Sequence, residues 1–315
     1  MAYSHTALVW QPHKVARISS LGNVPCTATV GAFLHTFMPT TMLHTVRRRA
    51  AMITAISLAS AALLASHGTL HAQDKKTLKV GVSVGNGDQI FEVVKKVAAR
   101  DGLAIEVVVF NDYQLPNAAL AAGDLDANAF QHQPFLDNQN KARGFDIVPV
   151  GLTITAPLGF YSRKIKSIDA LPEGATVGIQ NDPSNGNRAL LLLQEAKLIT
   201  LKPEAVKNNN ATPLDVVSNP KKLKLVPLDA AQLPRSLDDL TIASINNDYA
   251  EKAGLTLAKD AVIKESPQGP YANLIAVRRA DKDKPWAKQL VKAYQSAEVK
   301  SFIETKFNGS LVPAF

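Results

Sequence analysis

The sequence predicts an α/β protein of two lobes, each a mostly parallel sheet flanked by helices. Three observations carry that expectation. From Leu78 onward, short runs rich in β-branched residues alternate with amphipathic stretches, the pattern of parallel strands covered by helices. The alternation stops at 156–162 and then starts afresh, so one sheet is half built before another begins. A last strand-like run at 272–278 follows a break at 264–270 and supplies a second crossing, back to the first lobe.

In chain order, LKVGVSV (78–84) reads as a buried strand. Residues 89–100 follow as a helix with Ile90, Val93, Val94, Val97 and Ala98 on its apolar face. Residues 103–110 form a second strand, and 116–122 a short helix that Gly123 ends. A third strand spans 125–130, and a helix at 134–143 stops at Gly144. Residues 145–155 are again β-rich. After the crossing come a strand at 176–179, a helix at 187–196, a strand at 223–228 and a helix at 231–237. A strand at 241–245, a helix at 248–253, the returning strand and two closing helices at 285–296 and 297–306 complete the chain. The first lobe is thus expected from 73–157 and 270–315, the second from 158–269. Hinges fall near 156–160 and 264–270. Two such lobes enclose a cleft at their strand ends, where ligands bind in open α/β sheets.

The N-terminal region reads as a targeting segment. Arg47, Arg48 and Arg49 precede the apolar run 50–65, which suits a secretory core and is short for a bilayer span. Ala72 offers a small residue for cleavage and places the mature start near Gln73, with cleavage after Gly68 as the alternative. Residues 42–72 then form a signal peptide, and 1–41 an extension that an over-extended translation start explains. Residues 1–72 hold five basic residues and no acidic one. The chain's net +8 therefore shrinks to +3 beyond them, with 30 Lys and Arg against 27 Asp and Glu. That value gives no electrostatic footprint of a nucleic-acid binder. Cys26 is the only cysteine and precedes the expected cleavage site, which excludes disulfides and thiolate chemistry from the mature part.

Several residues stand where a cleft would be. Asn181 to Arg188 lies between a strand end and a helix start, where backbone N–H groups favour an anion. Arg188 can fork onto a carboxylate from an open cleft, or pair with a surface acid. Asn246 follows a strand, and its side-chain oxygen can accept from an ammonium or cap the next helix. Tyr113, Phe130, His132 and Phe135 form an aromatic set suited to a thioether, while Phe130 and Phe135 also fit a plain core. His132 is the only histidine beyond residue 72. No catalytic pair, phosphate loop, metal site or cofactor motif emerges, so no enzyme is expected. A periplasmic enzyme using His132 as a base would need a nucleophile or metal that the sequence does not offer.

The strings at 110–137 (FNDYQLPNAALAAGDLDANAFQHQPFLD), 181–194 (NDPSNGNRALLLLQ), 232–239 (QLPRSLDD), 245–250 (INNDYA) and 293–299 (AYQSAEV) occur in that order. They closely resemble the MetQ/NlpA family of methionine-binding proteins, over essentially all of 78–315. The resemblance implies a type II-like periplasmic binding protein fold that delivers L-methionine to an ABC transporter permease and its ATPase. Another small amino acid, D-methionine or a methionine dipeptide are the alternative ligands. It implies that Asn185 and Arg188 clamp the carboxylate, that Asn246 contacts the ligand, and that Tyr113, Phe130, His132 and Phe135 line its side chain. Asn247 and Asp248 are less certain neighbours. A monomer without nucleic-acid partner is expected.

Most members of that family are lipoproteins with a cysteine at the cleavage site, and none stands near Ala72. The exported protein is therefore expected to start near Gln73 and to carry no lipid, free in the periplasm or held by its transporter. N-terminal sequencing and intact mass of the exported protein check this. A lipid-sized mass increment, or a start upstream of Arg47, would contradict it.

Overall fold

Leu78, Val80 and Val82 alternate along the first strand and are fully buried, as a strand packing one face on a core requires. The computed structural model describes residues 77–315. The expected extension, signal peptide and cleavage site lie outside the described residues. The first strand, β1 (Thr77–Ser83), leads into α1 (Asn86–Arg100), β2 (Ala104–Phe110), α2 (Leu115–Ala122), β3 (Ala127–His132), α3 (Gln133–Arg143) and β4 (Ile147–Thr155). Gly123 and Gly144 end α2 and α3 in left-handed conformation, at φ 89° and 69°, the backbone state that glycine adopts without Cβ strain.

The chain then crosses to β5 (Gly159–Tyr161), β6 (Thr176–Gln180), α4 (Pro183–Glu195), β7 (Thr200–Leu201), α5 (Pro203–Lys207), β8 (Val216–Ser218) and β9 (Lys224–Leu228). There follow β10 (Ile242–Ile245), α6 (Asn247–Lys252), α7 (Leu257–Asp260) and β11 (Ala261–Lys264). A second crossing reaches β12 (Ala272–Arg278), and α8 (Pro285–Tyr294), α9 (Ala297–Phe307) and β13 (Val312–Pro313) finish the fold.

Two sheets result. One has the order β13-β4-β12-β3-β1-β2 and the other β11-β5-β10-β6-β9. In the first, β1 runs parallel to β2 and β3, whereas β12 pairs antiparallel with β3 and β4. In the second, β6 runs parallel to β9 and β10, and β5 is antiparallel to both β10 and β11. The sheets are thus mixed, not mostly parallel, because each receives strands from a chain that has just crossed over. Phe91, Val94, Leu290, Tyr294 and Ile303, from α1, α8 and α9, cover one face of the first sheet. Leu120 and Leu136, from α2 and α3, cover the other. In the second lobe, Leu190 and Leu193 of α4 pack on Val177, Ile179 and Ile242. Each such fully buried side chain contributes about 1.5–3 kcal/mol relative to exposure.

Three sequence expectations change. The helix expected at 231–237 is a series of turns ending in a 3-10 segment at Arg235–Asp238, because Pro234 carries no N–H to donate to the preceding turn. Residues 159–161, assigned to the first crossing, form the buried strand β5. That strand is too short for periodicity to reveal, and it leaves 156–158 as the crossing. The helix expected from Asn187 starts at Pro183, one turn earlier, with Asp182 accepting from the Asn185 N–H as its cap.

That earlier turn of α4 sits close against the end of β6. A Cβ on Gly186 would stand 2.6 Å from the Gln180 carbonyl oxygen. Gly186→Ala should therefore push the first turn outward and lower stability by about 1–3 kcal/mol, measured by urea denaturation. An unchanged midpoint would show that the helix start yields freely.

Candidate functional site

Five of the parallel strands end at the same cleft. Asn86 follows β1, Tyr113 follows β2 and His132 ends β3. In the second lobe, Asn185 and Arg188 follow β6 and Asn246 follows β10. All seven residues singled out in the sequence line one cavity. Asn86, Gln131, Ala156, Asn247, Asp248 and Asn273 complete the lining.

One end of the cavity is built on the first turn of α4. Asp182 accepts from the backbone N–H of Asn185 (2.9 Å) and, through both carboxylate oxygens, from its side-chain amide (3.1 and 3.0 Å). The amide nitrogen is thereby turned away, and Asn185 Oδ1 faces the opposite lobe. It accepts from the Asn246 amide of its own lobe (3.1 Å) and meets His132 Nε2 of the first lobe at 3.2 Å. Asn246 Oδ1 in turn accepts from Gln180 Nε2 (2.7 Å). Asn246 occupies the N-cap position of α6 without a side-chain capping bond, so its amide serves the cleft and not the helix.

Arg188 departs from expectation. It is only 3% exposed, not an open-cleft side chain. Its fork is already filled: Nε donates to Glu265 Oε1 (2.8 Å), and Nη2 donates to Glu265 Oε2 and to the Ala156 carbonyl (2.9 Å). The guanidinium also stacks 4.2 Å from the centre of the Tyr271 ring. Nη1 is the nitrogen these bonds leave over. A carboxylate in the cavity would therefore meet a single nitrogen of Arg188, Nη1, because the Nε–Nη2 edge of the fork is taken by Glu265.

The other end is aromatic. Phe130 and Phe135 pack edge to face at 5.8 Å, and Tyr113 lies 6.0 Å from each. His132 stands edge-on to Tyr271 at 5.2 Å. Its Nδ1 caps α3 by accepting from the Phe135 N–H (3.3 Å), which leaves Nε2 to carry the proton toward Asn185. Burial, aided by the nearby Arg188 charge, lowers the His132 pKa to about 3.

Helix α6 closes the cleft from the second lobe. Tyr113 donates to Asp248 Oδ1 at 2.5 Å, the Tyr249 hydroxyl donates to the Asn111 carbonyl (3.0 Å), and Lys252 reaches Asn111 Oδ1 (2.8 Å). Gln89 donates to Glu251 (2.9 Å), and Asn86 to Asn247 (3.3 Å). Burial raises the Asp248 carboxyl, although hydrogen bonds from Tyr113, Ser83 and its own backbone oppose the rise. Burial and that carboxylate push the Tyr113 phenol well above its usual range, so it remains a donor.

Sequence reading passed over Asn86, Gln131, Asn273, Glu265 and Tyr271. The Gly-Asn-Gly run directly after the first strand is a signal that points to Asn86. Gln131 sits in a buried amide network with Asn117 and Asn128, bonded at 2.7–3.0 Å. Among the described residues, no group of three or more His, Cys, Asp or Glu could hold a metal ion.

Two α/β lobes around one buried cleft that is polar at one end and aromatic at the other define a two-lobed solute-binding protein. The chain belongs to the NlpA lipoprotein family, whose model matches residues 78–315. It is 51% identical over 243 residues to the D-methionine-binding lipoprotein MetQ of Escherichia coli K12, covering 76% of this chain and 89% of that protein. A nutrient binding protein from Burkholderia cenocepacia bound to methionine superposes with a TM-score of 0.74 at 57% identity, over 76% of this chain and all of the other. A periplasmic substrate-binding protein of an ABC transporter from Coxiella burnetii gives 0.72 at 49% identity, over 75% and 100% of the two chains. The lipoprotein names of the family and of the Escherichia coli relative run against the expectation of an unlipidated protein.

Neutral His132 makes stability depend on pH. The unfolded chain takes up a proton on this side chain below its ordinary 6.5, whereas the folded protein resists until about 3. Its contribution is therefore complete above pH 6.5 and falls by about 2 kcal/mol by pH 5. His132→Asn keeps a capping acceptor and cannot titrate, so its urea stability should fall less between pH 7 and 5. Parallel losses in the two proteins would refute this assignment.

Proposed function

We propose that this chain is an exported solute-binding protein that captures methionine between its lobes and hands it to an ABC importer. The observation that carries the reading is the two-ended cavity. Arg188 Nη1 offers a donor to a carboxylate, and Asn185 and Asn246 stand beside it. Tyr113, Phe130, His132 and Phe135 supply an aromatic wall whose edges favour a thioether. A charged side chain against the Phe130 and Phe135 rings would lose its water without a partner, which selects strongly against lysine or glutamate.

The methionine in the Burkholderia cenocepacia protein and the name of the Escherichia coli relative support the ligand class. The ABC transporter named for the Coxiella burnetii protein supports the importer role. Binding shifts the lobes toward closure, and the closed form engages a permease pair whose ATPase drives release. The protein acts as a monomer and performs no catalysis. It works outside the inner membrane, in the periplasm.

A thermal-shift panel on protein stripped of ligand by unfolding and refolding tests the reading. L-Methionine should raise the Tm most, norleucine less, and lysine or glutamate hardly at all. D-Methionine belongs in the same panel, since the Escherichia coli relative is named for it. A shift with a charged amino acid and none with either methionine would overturn the assignment.

A further inference from the structure

The cavity holds an anion-binding side chain whose charge is already answered. Glu265 takes two nitrogens of Arg188, and the two side chains are 14% and 4% exposed. Glu265 also accepts from the Leu158 N–H (2.8 Å), which fixes its carboxylate against the guanidinium. The other ionisable side chains of the lining are Asp248, His132 and Tyr113. His132 is held neutral by burial, and Tyr113 is held as a donor to Asp248. Asp182 stands directly behind Asn185. One guanidinium therefore faces three carboxylates, those of Glu265, Asp248 and Asp182, at or just behind the cavity wall.

Such a wall suits no simple anion. A carboxylic acid without a compensating positive group would find one donor nitrogen and a surplus of negative charge in a poorly screened interior. A ligand carrying an ammonium beside its carboxylate restores the balance. We infer that Glu265 is a specificity-determining residue: by neutralising Arg188 it turns an anion site into a site for zwitterions, with Asp248 supplying the complementary negative charge. Glu265 acts through Arg188 and is a positioning residue in that sense. The inference rests on the reading of the cavity as an amino-acid site and adds the rule by which it rejects the deaminated analogue.

Calorimetry on ligand-stripped wild type, Glu265→Gln and Asp248→Asn, with L-methionine and 4-(methylsulfanyl)butanoate, tests it. The second ligand keeps the thioether and carboxylate and lacks only the ammonium. Wild type should prefer methionine at least 100-fold. In Glu265→Gln that ratio should fall at least tenfold, because the bare anion then meets an uncompensated guanidinium. A purely structural role would weaken both ligands by a common factor and leave the ratio unchanged, and that result overturns the inference. Asp248→Asn should narrow the same ratio, so a Glu265 variant that does not fold still leaves a decisive measurement. Absence of methionine binding to wild type would instead strike the amino-acid reading itself.

Discussion

A guanidinium withdrawn from water must be answered on every side, and the arrangement around Arg188 follows from that demand. Glu265 meets two of its nitrogens, the Ala156 carbonyl a third contact, and the Tyr271 ring its face. These partners come from both chain segments that join the lobes and from the residue just before β12. One buried charge thus gathers the first turn of α4 and both crossings into a single cluster. Removing one partner of such a pair typically costs about 3–5 kcal/mol, because the other is left charged and dry. Geometry at the cleft is therefore held from behind, by residues that need not touch a ligand.

The opposite wall is fixed by hydrogen bonds that carry no charge. Asn117, Asn128 and Gln131 satisfy one another in the interior, tying α2 to β3 just before that strand delivers His132. An apolar replacement at any one of them would leave amide groups unpaired, which costs more than the bond itself contributes. His132 then uses one ring nitrogen to start α3 and the other to reach Asn185. A single tautomer serves a local task and a contact between lobes at once.

Sequence periodicity revealed the long elements and little of the short ones. Helix α1 and strands β1 and β2 were legible because their apolar positions repeat over seven residues or more. Strands β5, β7 and β8 hold three, two and three residues, too few for a period to emerge. The seven residues that prove to line one cavity stood out because each follows a strand end or belongs to the family strings. Glu265 was missed because its partner lies 77 positions away and nothing local to it suggests a charge pair. Asp248 was named only as a neighbour, since an aspartate in the first turn of a helix is ordinary until a tyrosine from the other lobe is found on it.

Glu265 has a mechanical side as well. Its N–H donates to the Leu158 carbonyl (2.9 Å) while its carboxylate accepts from the Leu158 N–H. The pairing of β5 with β11 is thereby prolonged one residue beyond Gly159 and Lys264. At the far end, Thr155 pairs with Ala272. The two connecting segments are consequently tied to each other at both ends, at Leu158 with Glu265 and at Thr155 with Ala272. Two segments tied at both ends cannot drift apart independently, so each crossing constrains the path of the other.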